Sequence, residues 1–279
     1  MKIVQFYEDN IIKTGVLSWD SVFPFLFNGT TIDIIEKKIK PQVSEKSIPI
    51  ENVNFAPVIT GASKIIAIGL NYKDHAQELG LELPKNPLIF TKFTNSLLGH
   101  KEKITWNQTI TNEVDFEAEL AVIIGEKVYN CHNEDAMDCV YGYTCANDVS
   151  ARDLQFSDVQ WVRGKSLDSF CPIGPCIVTK DEIPEPDNLK IQCLLNNKIM
   201  QNSNTKNLIF NIKDLISFLS KHFTLFPGDI ILTGTPGGVG TFREPPVYLK
   251  NNDEIIVRIE KIGSLVNYCK ETSINNFPI

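Results

Sequence analysis

The chain is 279 residues long, 43% hydrophobic and 22% charged, with a formal net charge of −7 and a pI near 5.2. That length can bury one large core, or a core with a small appendage, while an acidic balance without a clustered Lys/Arg run excludes nucleic acid and an anionic membrane as main partners. No apolar stretch approaches the roughly 18 residues of a membrane span, the N-terminus runs into Glu8 and Asp9 without a signal-peptide core, and seven cysteines with no C-x-x-C pair read as reduced thiols; a cytoplasmic location is the default expectation.

Residues 1–60 read as a small, separate α/β unit. Strands are expected near Lys2–Tyr7 and Ile12–Trp19 around a turn at Asp9-Asn10, then a helix near Thr31–Lys40, and Pro41, Pro49 and Pro57 punctuate an extended connector. Residues 61–279 are strand-rich. The pattern predicts strands at Lys64–Ile68, Leu88–Lys92, Asp115–Ile124, Tyr141–Asn147, Cys176–Val178, Leu189–Leu195, Asp229–Leu232 and Glu254–Ile259. Helices are predicted at Tyr72–Leu79, at Glu134–Val140 behind the cap Asn133, and at Asn211–His222, where Ile212, Leu215, Ile216 and Leu219 share one face. Strands do not alternate regularly with long helices, so the fold class is α+β, β-rich.

Within the Asp115–Ile124 strand, Asp115, Glu117 and Glu119 occupy alternate positions, so one face carries three carboxylates about 7 Å apart while Phe116, Ala118, Leu120 and Val122 line the other. Like charges so placed raise one another's pKa and call for protonation, a cationic neighbour or a metal ion, unless the strand lies open to water. Asp148 stands 148 − 119 = 29 residues after Glu119, a gap that fits a strand, a short helix and a second strand. The all-oxygen set Glu117, Glu119 and Asp148 suits Mg2+ or Mn2+ better than zinc, and a solvated acidic strand stands beside that reading.

His75 and Glu78, three apart on the predicted helix after an apolar strand, would stack on one face. A carboxylate beside an imidazole fixes its tautomer and makes a water-activating base, or the two are an ordinary surface pair. In Trp161-Val162-Arg163-Gly164-Lys165-Ser166-Leu167-Asp168 two cations stand on alternate positions, either to meet an oxyanion or to form a solvated basic edge strand. The strand ending at Leu232 breaks into Thr233-Gly234-Thr235-Pro236-Gly237-Gly238-Val239-Gly240, a loop whose N–H groups and Thr235 hydroxyl could take a carboxylate, or which is simply a tight turn. It has neither a P-loop lysine nor G-x-G-x-x-G, which argues against a nucleotide.

These segments together closely resemble the fumarylacetoacetate hydrolase family. The matching blocks are Ile68-Gly69-Leu70-Asn71-Tyr72-Lys73-Asp74-His75, Asp115-Phe116-Glu117-Ala118-Glu119-Leu120-Ala121, Ala146-Asn147-Asp148-Val149-Ser150-Ala151-Arg152-Asp153, Gln160 to Asp168 with Cys171-Pro172-Ile173-Gly174-Pro175, and Gly234 to Gly240. The resemblance implies a mixed β-sandwich roll, a homodimer, and a divalent metal held by Glu117, Glu119 and Asp148. It also implies a mobile lid carrying His75 and Glu78, Lys165 beside the substrate oxygens, Gln155 orienting water or substrate, and Thr235 holding the substrate carboxylate. Asp115 becomes a supporting residue. The implied reaction is Mg2+- or Mn2+-dependent hydrolysis of a C–C bond in a small anionic diketo or acylpyruvate-like acid through an enolate. Alternatives within the family are an oxaloacetate-type 2-oxo acid decarboxylase and a 2-hydroxy-dienoate isomerase or hydratase.

Overall fold

The computed structural model describes residues 1–272. Its frame is an 11-stranded mixed sheet, whose path runs through Ile48–Pro49, Ser21–Pro24, Ile11–Ser18, Lys2–Glu8, Cys171–Thr179, Val140–Asn147, Ala118–Ile124, Ile230–Leu232, Ile65–Gly69 and Leu88–Lys92, with Leu97–Leu98 pairing off the path against Cys171–Thr179. A 5-stranded sheet in the order Lys198–Asn204, Lys190–Leu195, Glu254–Ile259, Gly263–Thr272, Lys103–Asn107 packs against it. The two sheets share one core, in which Leu120, Val122 and Ile124 of the large sheet meet Ile191, Cys193, Val257 and Leu265 of the small one. A second core on the opposite face takes Ala121 and Ile123. Every residue of Ala118–Ile124 is therefore buried, which makes it a central strand rather than the half-solvated one that alternation suggests.

The N-terminal strands are continuous with the large sheet. Lys2–Glu8 pairs antiparallel with Cys171–Thr179, placing Lys2 opposite Val178, and Ile3 and Phe25 pack with Ile34 and Tyr141. An unpaired edge of Lys2–Glu8 would leave buried N–H and C=O groups without partners, and the large sheet supplies them. The expected helix after these strands is shorter, Thr31–Glu36, with Thr30 and Asp33 closing its first turn.

Three expectations need correction. The Asp115–Ile124 strand is interrupted at Phe116-Glu117: Val114–Asp115 pairs with Ser150–Ala151 in a separate two-stranded ribbon, and regular pairing resumes at Ala118. Side chains replace the missing ladder bonds, since Asp115 accepts the Phe116 N–H at 2.8 Å and Asn147 accepts the Glu117 N–H at 2.9 Å. The segment around Glu134 is a 3₁₀ stretch, Asn133–Cys139, and Asn133 spends its amide on Asp214 instead of capping. Arg163 and Lys165 lie on a single helical turn, Val162–Lys165, so they do not share a strand face. The Ile212–His222 helix forms as the sequence predicts, with reciprocal Asn211 and Asp214 capping bonds and Ile212, Leu215, Ile216 and Leu219 buried.

Candidate active site

Antiparallel pairing of Ala118–Ile124 with Val140–Asn147 sets Ala118 opposite Asn147, and the Asp148 N–H donates to the Glu117 carbonyl at 2.9 Å. The register thus brings Asp148 against Glu117 and Glu119 although 148 − 119 = 29 positions separate it from the latter. One oxygen from each of the three carboxylates lies within 4.8 Å of the others, and all three residues are buried.

Three cations surround them. Lys165 Nζ lies 3.0 Å from Glu117 and 2.7 Å from Asp148, Lys92 Nζ 2.6 Å from Asp148, and Arg152 Nη1 2.7 Å from Glu117. Lys92 also donates to the Lys165 carbonyl. Burial works against the Glu117 charge, but Lys165 and then Arg152 outweigh it and hold the group well below the ordinary carboxylate range. For Lys165, burial disfavours the ammonium while Asp148 and Glu117 raise its pKa, so it is charged at neutral pH. Glu119 is treated differently. Its carboxylate accepts the Gly234 N–H at 2.7 Å but forms no ion pair among the described residues, and burial followed by the Asp148 and Glu117 charges pushes its pKa well above the usual range.

Asp115 has left this group. It pairs with Arg152 Nε at 2.9 Å and accepts the N–H groups of Gly240 at 2.7 Å and Thr241 at 3.0 Å, tying the glycine-rich loop to the ribbon. Counting Asp115, the buried cluster sets four carboxylates against Lys92, Arg152 and Lys165, one negative charge in excess when all are ionised. An all-oxygen donor set with an uncompensated buried charge at Glu119 fits a hard divalent cation held by Glu117, Glu119 and Asp148.

A cavity of about 320 Å³ opens onto this cluster and is lined by His75, Glu117, Gln155, Lys165 and Thr235, together with apolar side chains. His75 and Glu78 lie on the Lys73–Glu78 helix, with His75 Nδ1 3.0 Å from Glu78 Oε2. A carboxylate only accepts, so Nδ1 carries the proton and Nε2 is free to take one. Glu78 also accepts the Gly238 N–H, at 3.0 and 3.1 Å to its two oxygens, and Asp74 accepts bonds from Ser203 and Asn207. The helix is therefore pinned both to the glycine-rich loop and to the small sheet.

Gln155 Oε1 accepts from Arg152 Nη1 at 2.9 Å, and its Nε2 has no partner among the described residues. The Thr235 hydroxyl is more committed than the sequence suggests: it donates to the Ala118 carbonyl at 2.9 Å and accepts from Gln201 Nε2 at 2.8 Å. To donate to a substrate carboxylate it must turn away from Ala118. Arg163 points elsewhere, pairing with Asp158 on the surface. Sequence reasoning assigned no role to Lys92 and none beyond motif membership to Arg152. A lysine ending an apolar strand was the available signal for the first, and an arginine four residues past Asp148 for the second.

A family model for the fumarylacetoacetate (FAA) hydrolase C-terminal region matches residues 64–269. The chain is 46% identical over 245 residues to "Oxaloacetate tautomerase Fahd2a, mitochondrial" of Rattus norvegicus, covering 87% of this chain and 77% of that protein. Among solved structures, a fumarylacetoacetate hydrolase from Exiguobacterium antarcticum superposes with a TM-score of 0.89 at 34% identity, covering 98% of this chain and 100% of that one. A 2-hydroxyhepta-2,4-diene-1,7-dioate isomerase from Mycobacterium marinum gives a TM-score of 0.82 at 30% identity over 98% and 99% of the two chains.

Proposed function

The chain belongs to the fumarylacetoacetate hydrolase family, and we propose that it is a divalent-metal-dependent enzyme that interconverts the keto and enol forms of a 2-oxo acid. The observation that carries this reading is that His75, held by Glu78 at 3.0 Å, lines the same cavity as Lys165 and Glu117. The names of the similar proteins support it, since a tautomerase and a dienoate isomerase both move protons along an enolisable 2-oxo acid. Mg2+ or Mn2+ on Glu117, Glu119 and Asp148 would supply Lewis-acid charge for the substrate oxygens.

The chain's own residues supply the proton path. Tautomerisation breaks one C3–H bond and forms one O–H bond at the C2 oxygen, so a single base that accepts and returns a proton is sufficient. His75 Nε2 serves as that base, with Glu78 holding the ring and stabilising the imidazolium between the two transfers. The Lys165 ammonium faces the negative charge that grows on the oxygen, in a site where water does not dilute its field. Gln155 Nε2 orients the acid head. A substrate that covers the apolar remainder of the cavity keeps from the enolate the solvent that would quench it.

The test follows the decay of oxaloacetate enol by its ultraviolet absorbance with Mg2+ present. His75→Ala should lower the catalysed rate by roughly 100-fold with Mg2+ affinity unchanged; ketonisation no faster than in buffer would overturn the proposal. C–C hydrolysis of an acylpyruvate is the second reading, favoured by the same dyad because it also suits water activation. Release of pyruvate and a carboxylic acid, identified by NMR, would establish it. A homodimer and a cytoplasmic location accompany the proposal as implications of the family and of the sequence.

A further inference from the structure

We infer that the preferred substrate is longer than a four-carbon diacid and carries an apolar arm on C3, an inference that rests on the 2-oxo acid reading and names its substrate class. The cavity has two chemically distinct parts. Its polar floor is made by Glu117, Arg152, Gln155, Lys165, His75 and Thr235. Beyond the floor the lining is apolar, with Leu79, Leu88, Phe90, Phe156, Trp161 and Phe242 as its main contributors.

Phe90 joins the two parts. Its ring lies 5.0 Å from Lys165 Nζ on one side and 5.3 Å from the Trp161 ring, edge on, on the other. The aromatic surface therefore starts at the cation that faces the head group and runs outward. Gly69 permits this arrangement, because a Cβ there would come within 3.0 Å of both Leu88 and Trp161. Phe242 closes the wall from the other side, 6.1 Å from the His75 ring and 6.5 Å from Phe156.

Among the described residues, a second carboxylate has no counter-charge waiting on that wall. The two permanent cations lining the cavity are already engaged, Arg152 with Asp115 and Glu117, and Lys165 with Glu117 and Asp148. A cavity of about 320 Å³ also exceeds what a four-carbon acid fills, and apolar surface left wet contributes nothing to binding. An aryl or alkyl arm fills the space, displaces that water and stacks against Trp161 and Phe90.

Two ligands sharing an oxamate head test this directly: N-phenyloxamate, with an apolar arm, and N-oxalylglycine, with a carboxylate arm. Calorimetric titration of the Mg2+-loaded protein should show N-phenyloxamate binding at least tenfold more tightly. In turnover, the kcat/KM ratio of phenylpyruvate to oxaloacetate for keto–enol interconversion should exceed ten. Trp161→Ala should lower both ratios at least tenfold, and Leu88→Arg, at a half-exposed position that tolerates a charge without loss of the fold, should swing them toward the diacid. Equal or tighter binding of N-oxalylglycine, or ratios unmoved by both substitutions, would overturn the inference. Tight N-phenyloxamate binding without turnover of any 2-oxo acid would refute the tautomerase reading and leave the apolar-arm pocket standing.

Discussion

At Glu119 a carboxylate is kept buried next to two others and given one backbone hydrogen bond in place of a cation. An arrangement that costs stability in the metal-free protein is expected where a cation is to be bound. Glu119→Gln, which keeps an acceptor for the Gly234 N–H, should therefore lower Mg2+ affinity by at least about tenfold while leaving the metal-free protein as stable or roughly 1–2 kcal/mol more stable. Calorimetry and urea denaturation in chelator check the two halves separately. The sequence marks Glu117, Glu119, Asp148, His75 and Lys165 as candidates, and the fold brings them to one place. Their charge compensation was not. Lys92 reaches Asp148 only because Leu88–Lys92 ends the same sheet, a juxtaposition that local spacing does not encode.

At the level of elements, periodicity located most strands and the long helix, because a central sheet and an amphipathic helix both print their burial on the sequence. It missed the break at Phe116-Glu117. Alternation continues across that point in the sequence, whereas the backbone there is held by side chains, Asp115 from the segment itself and Asn147 from the neighbouring strand. The glycine-rich loop depends on a similar close approach. A Cβ at Gly240 would lie 1.9 Å from the Val247 carbonyl oxygen and 2.5 Å from Asp115 Oδ1. Gly240→Ala should thus cost roughly 3 kcal/mol or more of stability and loosen the loop that holds Glu78, read as a lowered thermal midpoint and faster hydrogen exchange in residues 234–241.

For the whole molecule, residues 1–60 read as a small N-terminal unit from their own strand–helix pattern and punctuating prolines, and their strands extend the large sheet. Strand partners far apart in sequence are invisible to local patterns, and Lys2–Glu8 finds its partner at Cys171–Thr179. The seam between the sheets offers a pH test. His100 is buried against Phe55, accepts the Val266 N–H at 3.1 Å, and is held down to a pKa of about 4 by burial and then by Lys101. The folded value lies below the unfolded value of about 6.5, so the unfolded chain binds the extra proton between them. The neutral ring's full contribution is present above about pH 6.5 and is lost as pH falls through about 4. Urea denaturation should show the stability gap between the wild type and His100→Gln narrowing over that window; a gap independent of pH would show that His100 is not the titrating group.

Asp115 binds groups 37 residues away at Arg152 and 125 and 126 residues away at Gly240 and Thr241. Closing such long loops is slow and is rewarded only after the intervening chain has condensed. The consequence is temporal: the carboxylate cluster becomes competent late in folding, after its strands exist. In refolding from urea, Mg2+ binding should appear in a slower phase than far-ultraviolet circular dichroism, so a nascent chain stays metal-free until its last third has docked.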